Sequence, residues 1–254
     1  MSFAGKVALV AGATGNIGSG AVRAFLDQGA KVIALSRSQS SLDKLSKTLQ
    51  AYNTPTDNLI TYVADVGKDE DLAKLANDIK ANKYPAPDHI VSSSGPWWHL
   101  PSLQDISAEK FREVMNANFE SHFFIYRNFA PFVLDKPGAT YTLVTGGSGE
   151  HGFGSLTSVS QTALFGLGRV AIHETQNKAV RFNELRIALR VESDTAFDDM
   201  AKAGKTQLGV SEQLASREFG PVFAALASSK ATQEKGKVQL VNSRAGIDEL
   251  KKYL

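Results

Sequence analysis

The apolar residues of this chain fall into two alternating patterns: short unbroken runs and stripes at helical spacing. Lys6-Val7-Ala8-Leu9-Val10 is the first run, and Lys31-Val32-Ile33-Ala34-Leu35 is the second. Unbroken apolar runs rich in β-branched residues are what a strand buried on both faces requires. Between them lies an amphipathic stretch, 17–28, with Ile17, Ala21, Val22, Ala24, Phe25 and Leu26 on its apolar side, stopped by Gly29. The alternation continues. Helices are expected over 41–50 (Leu42, Leu45 and Leu49 on one face), 69–80, 107–134 and 211–228. Strands are expected over 59–64, 88–91, 140–145, 185–191 and 237–241. Strand and helix alternating from end to end predict an α/β fold, a doubly wound parallel sheet of seven strands in a single domain covering 1–254.

The first strand runs straight into Ala11-Gly12-Ala13-Thr14-Gly15-Asn16-Ile17-Gly18. Strand, glycine-rich turn, helix and strand within about thirty residues make a dinucleotide-binding unit. Gly12 permits a tight bend, and Gly15 and Gly18 let backbone and helix approach a ligand. The N–H groups of residues 14–18 then face a pyrophosphate at the positive end of the helix dipole. The second strand ends in Ser36-Arg37 with no acid. An acid there would bond the ribose 2′-hydroxyl of NAD, whereas an Arg suits a 2′-phosphate, so the residues point to NADP(H). The competing reading of Arg37 is a solvated surface cation.

Composition narrows the partners. A net charge of +2 with scattered cations offers no nucleic-acid surface, and no apolar run approaches a membrane span. The absence of Cys excludes disulfides, thiol catalysis and thiolate metal sites, and no metal is expected. Six residues before the first strand leave no room for a signal sequence, so a cytoplasmic protein acting on a small molecule is expected.

The glycine spacing, the length and the order of elements resemble the short-chain dehydrogenase/reductase superfamily. Gly-x-x-Gly-x-x-Gly is closer to its extended and atypical branches, because Ala11 and Asn16 replace the Thr and middle Gly of the common turn. The resemblance implies that Asp65 and Val66 meet the adenine; Asp65 could equally cap the helix that follows. It implies that Ser93, Ser94 and Gly95, where the family has Asn-Ala-Gly, lie along the cofactor. It also implies a homodimer or homotetramer built on the helices at 107–134 and 157–176. Asn118, with Asn116 second, fits the Asn that holds a water in the family's catalytic tetrad.

At the catalytic pair the resemblance breaks. Thr157-Ser158-Val159-Ser160-Gln161 occupies the place of Tyr-x-x-x-Lys, and no Tyr stands between Tyr141 and Tyr253. A phenol can be tuned toward neutrality by a neighbouring Lys; an aliphatic hydroxyl cannot. Gln161 keeps only the capacity to bond a ribose hydroxyl. The family's catalytic Ser falls at Gly147, and Ser148 stands one residue on. Glu150-His151 is the only acid–His pair in this stretch, and His151 is either a proton carrier or merely solvated. Trp97 and Trp98 follow the fourth strand and either wall an apolar or aromatic substrate or pack on a neighbouring helix or subunit. The family's Pro-Gly after the sixth strand is replaced by Glu192-Ser193-Asp194-Thr195. Three functions are compatible with these residues: an atypical NADP(H)-dependent oxidoreductase, a non-redox lyase or isomerase, and a non-catalytic NADP(H)-binding subunit.

Overall fold

The computed structural model describes residues 2–208 and 211–254, and their side chains except at 207, 208, 211 and 212. Within them β1 (Val7–Ala11), β2 (Lys31–Ser36), β3 (Leu59–Val63), β4 (His89–Ser92), β5 (Thr140–Gly146), β6 (Arg181–Ile187) and β10 (Val238–Val241) form one sheet in the order β10-β6-β5-β4-β1-β2-β3. Every pairing in it is parallel. The central strands β1, β2 and β4 are buried on both faces, which is why β1 and β2 read as unbroken apolar runs, while the edge strands β3 and β10 are only partly covered. Ala8 and Val10 pack toward α1 (Asn16–Asp27), α2 (Gln39–Ala51), α10 (Pro221–Ala227) and α11 (Arg244–Lys251). Val7, Leu9 and Ala11 pack toward α3 (Asp69–Lys80), α5 (Ser121–Phe129) and α7 (Leu156–Thr175). The chain winds outward from β1 to β3 and then returns to β4 on the other side of β1. The carboxyl ends of β1 and β4 are therefore the topological switch point, where open α/β sheets bind ligands.

Four expected elements differ. The helix over 107–134 is α4 (Ala108–Met115), a π-helical turn (Asn116–Glu120), α5 and a closing 3₁₀ turn, Ala130–Phe132. The π-turn buries Asn118, and Pro131 lacks the N–H that would continue the helix. The glycine-rich segment 146–154 contains one helical turn, α6 (Ser148–His151). The strand expected over 185–191 begins earlier and splits into β6 and β7 (Arg190–Glu192), and β7 leaves the main sheet. Its charged start hid it: Arg181, Glu184 and Arg186 are buried, Glu184 and Arg186 as a pair and Arg181 against backbone carbonyls. Glu184 accepts from Arg186 (2.6 and 2.8 Å) and from Thr145 (2.7 Å), while Arg181 caps the carbonyls of Leu226 and Ala227. The helix expected over 211–228 begins as β9 (Ser211–Ala215), which pairs with β7 and with β8 (Gln207–Leu208) in a small second sheet. Only α9 (Ser216–Phe219) and α10 are helical there. A further helix, α8 (Asp194–Lys202), is started by Ser193, whose side chain accepts from the Ala196 N–H. Among the described residues no helix is long and apolar enough to cross a membrane.

Candidate active site

The turn after β1 is shaped first by the chain's own packing. Gly12 has φ +76°, and a Cβ there would lie 1.8 Å from the Ser93 carbonyl oxygen; one on Gly18 would lie 2.2 Å from the Gly12 carbonyl oxygen. Both glycines are demanded by backbone contacts. Gly15 is different: its Cβ would meet only the Gly12 oxygen, at an ordinary 3.4 Å. Thr14, Gly15 and Asn16 are exposed, and no side chain caps the first N–H groups of α1. An uncapped helix start under a bare, solvent-facing glycine leaves N–H donors for an anion, and the chemistry of a dinucleotide pyrophosphate fits them. Ile17 anchors the turn to the core below. Asn16 ties it to the small sheet, donating to the Val191 carbonyl (3.0 Å) and toward Glu192 (3.4 Å). The Glu192 carboxylate is paired with Arg190, so the acid beside the cradle does not stand alone.

Ser36 and Thr14 share a hydroxyl contact (3.0 Å) beside the cradle, and Arg37 is exposed with no ion pair among the described residues. Asp65 does not cap α3. Its carboxylate accepts from the Gly67 N–H (3.1 Å), and its own N–H donates to Asp71 (2.8 Å), so the two acids brace the loop before α3 and neither caps the helix. Val66 packs against the core. Ser93 hangs from β1 through its N–H to the Ala11 carbonyl (3.1 Å), Ser94 shares a hydroxyl contact with Ser121 (2.6 Å), and Gly95 turns at φ +92°.

Under this edge lies His122, fully enclosed. Its Nε2 faces the Ser94 carbonyl (3.0 Å), which can only accept, so Nε2 carries the hydrogen and Nδ1 accepts from Ser92 (2.6 Å). Burial pushes its pKa down to about 4, and that of His89, held between Phe3 and Phe25, to about 4 as well. Both fall below the ordinary 6.5, so from pH 6.5 down toward 4 the unfolded chain binds protons that the folded chain refuses. Stability is present above that window and falls with falling pH, by about 1.4 kcal/mol per pH unit for each histidine. Urea midpoints are expected to drop between pH 7 and pH 5; unchanged midpoints would show these rings are not the groups that titrate.

Beyond Gly95 the catalytic candidates converge. Asn118, at zero exposure, accepts from the Trp98 indole N–H (3.1 Å) and donates to Ser160 (3.2 Å), whose hydroxyl donates to the Thr157 carbonyl (2.8 Å). Asn116 instead faces away, bonding the Gly67 carbonyl (3.0 Å). The Thr157 hydroxyl is buried and has no partner. An orphaned buried hydroxyl costs about 1–3 kcal/mol unless a ligand satisfies it. Gln161 accepts from the Gly146 N–H (2.6 Å), which fixes its oxygen and leaves its NH₂ group for a ribose. Ser148 is buried at the start of α6. The acid–His pair does not form: Glu150 turns to Arg186, and exposed His151 stacks on Phe153 (5.9 Å). Phe153 also meets Trp97 (5.9 Å), so the loops after β4 and β5 close one aromatic mouth. Ser160, His122, Lys110 and Phe153 were not singled out from the sequence.

The profile of the short chain dehydrogenase family matches residues 6–195. A short-chain dehydrogenase/reductase, iacG, of Pestalotiopsis fici is 33% identical over 202 residues, 78% of this chain and 80% of that protein. Dehydrogenase/reductase SDR family member 4 of Rattus norvegicus is 30% identical over 183 residues; the match covers 71% of this chain and 64% of the rat protein. Among solved structures, a short-chain dehydrogenase/reductase of the glucose/ribitol dehydrogenase type from Brucella melitensis superposes with a TM-score of 0.74 at 17% identity. That superposition covers 95% of this chain and 96% of the other.

Proposed function

This chain belongs to the short-chain dehydrogenase family, and from that premise we propose that it is an NADP(H)-preferring oxidoreductase interconverting a small carbonyl compound and its alcohol. The observation that carries the reading is the uncapped cradle at Gly15 beside an unpaired Arg37. The residues suited to hold the nucleotide are the turn Gly12–Gly18 for the pyrophosphate, Ser36 and Arg37 for the 2′-phosphate, and Asp65 for the adenine. Ser93 to Gly95 would lie along its length, and the Gln161 amide would take a ribose hydroxyl. When bound, the nicotinamide supplies or accepts the hydride. The Thr157 hydroxyl, buried and unpartnered, donates a hydrogen bond to the substrate oxygen and orients it. It does not surrender its proton, because an aliphatic alcohol is too weak an acid, so the proton reaches the product oxygen from water.

The relatives are named dehydrogenases or reductases, which supports redox chemistry over a lyase, an isomerase or a non-catalytic subunit. A homodimer or homotetramer through α4, α5 and α7 is supported by Phe111, Phe123 and Val170, which are large, apolar and exposed there. Cofactor choice tests the reading. Arg37→Ala is expected to weaken NADPH by about 1–3 kcal/mol and to leave NADH nearly unchanged, as a lost charge-assisted bond requires. Fluorescence titration measures both. Equal affinity of the native protein for the two nucleotides would sink the preference.

A further inference from the structure

We infer that Asn118 is a positioning residue for an aromatic wall made by Trp98, and that this wall selects planar aromatic carbonyl compounds. The inference rests on the reductase reading above and adds its substrate class. The Asn118 amide bridges two segments: its oxygen accepts from Trp98 Nε1 at 3.1 Å and its nitrogen donates to Ser160 Oγ at 3.2 Å. The backbone before Trp98 docks on the same group. A Cβ on Gly95 would lie 2.7 Å from Asn118 Oδ1, so only glycine lets the loop come down onto it. The π-turn over 116–120 supplies the inward displacement that buries Asn118 at this spot.

The indole is held from a second direction. The Lys110 ammonium sits 4.8 Å from the Trp98 ring centroid and is itself paired with Glu113 (2.5 Å). One edge of the ring is hydrogen-bonded and its π-system carries a cation, so the ring is fixed in orientation while staying half-buried. Trp97 is built in separately. Gly154 has no side chain where Trp97 Cη2 would be 2.8 Å from a Cβ, and Phe153 lies 5.9 Å from the Trp97 ring. Trp97 and Phe153 remain about half exposed, at 50% and 56%. Fixed aromatic faces on the loops that follow β4 and β5, at the carboxyl ends of the strands, suit a flat ring that stacks on them.

The test uses benzaldehyde and hexanal with NADPH, and calorimetric titration of the unreactive amides benzamide and hexanamide into the protein with and without NADP⁺. The native protein is expected to favour the aromatic member of each pair by about tenfold, the scale of aromatic stacking. Asn118→Ala is expected to raise the ratio of KM for benzaldehyde to KM for hexanal by about tenfold, and Trp98→Leu to do the same. In a Trp98→Phe background, which has no indole N–H to hold, Asn118→Ala is expected to change that ratio no further. Asn118→Ala lowering kcat equally for both aldehydes in both backgrounds, with KM unmoved, would overturn the inference and return Asn118 to proton transfer. If neither aldehyde is consumed, the reductase reading fails and the amides decide. Benzamide preferred, and the preference lost on Asn118→Ala, supports the wall; equal affinity for the two amides overturns it. Trp98 is only half-buried, so its variants report even where Asn118→Ala does not fold.

Discussion

The double variant Thr157→Tyr with Gln161→Lys is expected to reduce carbonyl compounds about 10²–10⁴-fold faster than the native protein, the usual contribution of a positioned general acid. Thr157 and Gln161 sit on the first turns of α7, Gln161 against Gly146 at the end of β5, and Thr157 belongs to the chain that runs through Ser160 to Asn118 and Trp98. Turnover gained only by the double variant would show a site that kept its frame and lost its acid. A phenol at 157 with an ammonium one turn away restores a group whose pKa can approach neutrality. Thr157→Tyr alone is expected to yield much less, because without the cation the phenol stays near pKa 10. The double variant also gives up the 2.6 Å bond from the Gly146 N–H to Gln161, so its melting temperature should fall even as turnover rises. Stopped-flow NADPH oxidation across pH measures the outcome. In the native protein, water as the proton source predicts a rate without a histidine-like inflection. An inflection near that of a histidine that vanishes in His151→Phe would instead make His151 the donor. A double variant no faster than the native protein would show that acid supply is not what limits the site.

Two neighbouring glycines are expected to fail in opposite ways. Gly12→Ala forces a Cβ to within 1.8 Å of the Ser93 carbonyl oxygen at φ +76°, with backbone on both sides. Nothing flexible can yield there, so β1 and β4 must move apart where the cofactor edge is built. A loss of about 3 kcal/mol or more of folding stability is expected, together with loss of nucleotide binding. Gly15→Ala meets only an ordinary 3.4 Å contact at φ −77°. Its stability is expected to stay within about 1 kcal/mol of native while nucleotide affinity falls, because the methyl group fills the cradle. Urea denaturation and NADPH titration of the two variants, side by side, separate the roles. Equal stability losses would mean that Gly15, too, is a packing glycine.

The proposed nucleotide half could be read in the sequence because it is local. Gly12, Gly15, Gly18, Ser36 and Arg37 lie within one strand–turn–helix–strand unit, and the roles expected of them follow from backbone conformation and charge type within about thirty residues. The substrate half was legible only as a list of candidates. Asn118 and Lys110, Trp98, and Ser160 come from three separate segments, and nothing in their spacing says that one amide joins two of them. Glu150 and His151 illustrate the reverse: adjacent in sequence, they part because Arg186 on β6 captures the carboxylate.

By itself the sequence determined the parallel α/β sheet and the glycine turn, because burial of central strands such as β1 and β2 on both faces leaves an unbroken apolar signature and a tight turn leaves glycine. It also determined that the Tyr and Lys of the family are gone. Tertiary structure alone decided where charged residues could count as strand. Glu184 is met inside β6 by Thr145 and Arg186, and Arg181 by the C-terminal carbonyls of α10. It alone decided that 211–215 pairs with β7 instead of opening a helix, since a strand needs a partner and β7 exists only once the chain has left the main sheet. And it alone decided that Asn118 holds a tryptophan, because a hydrogen bond between residues twenty apart is created by the fold that brings them within 3.1 Å.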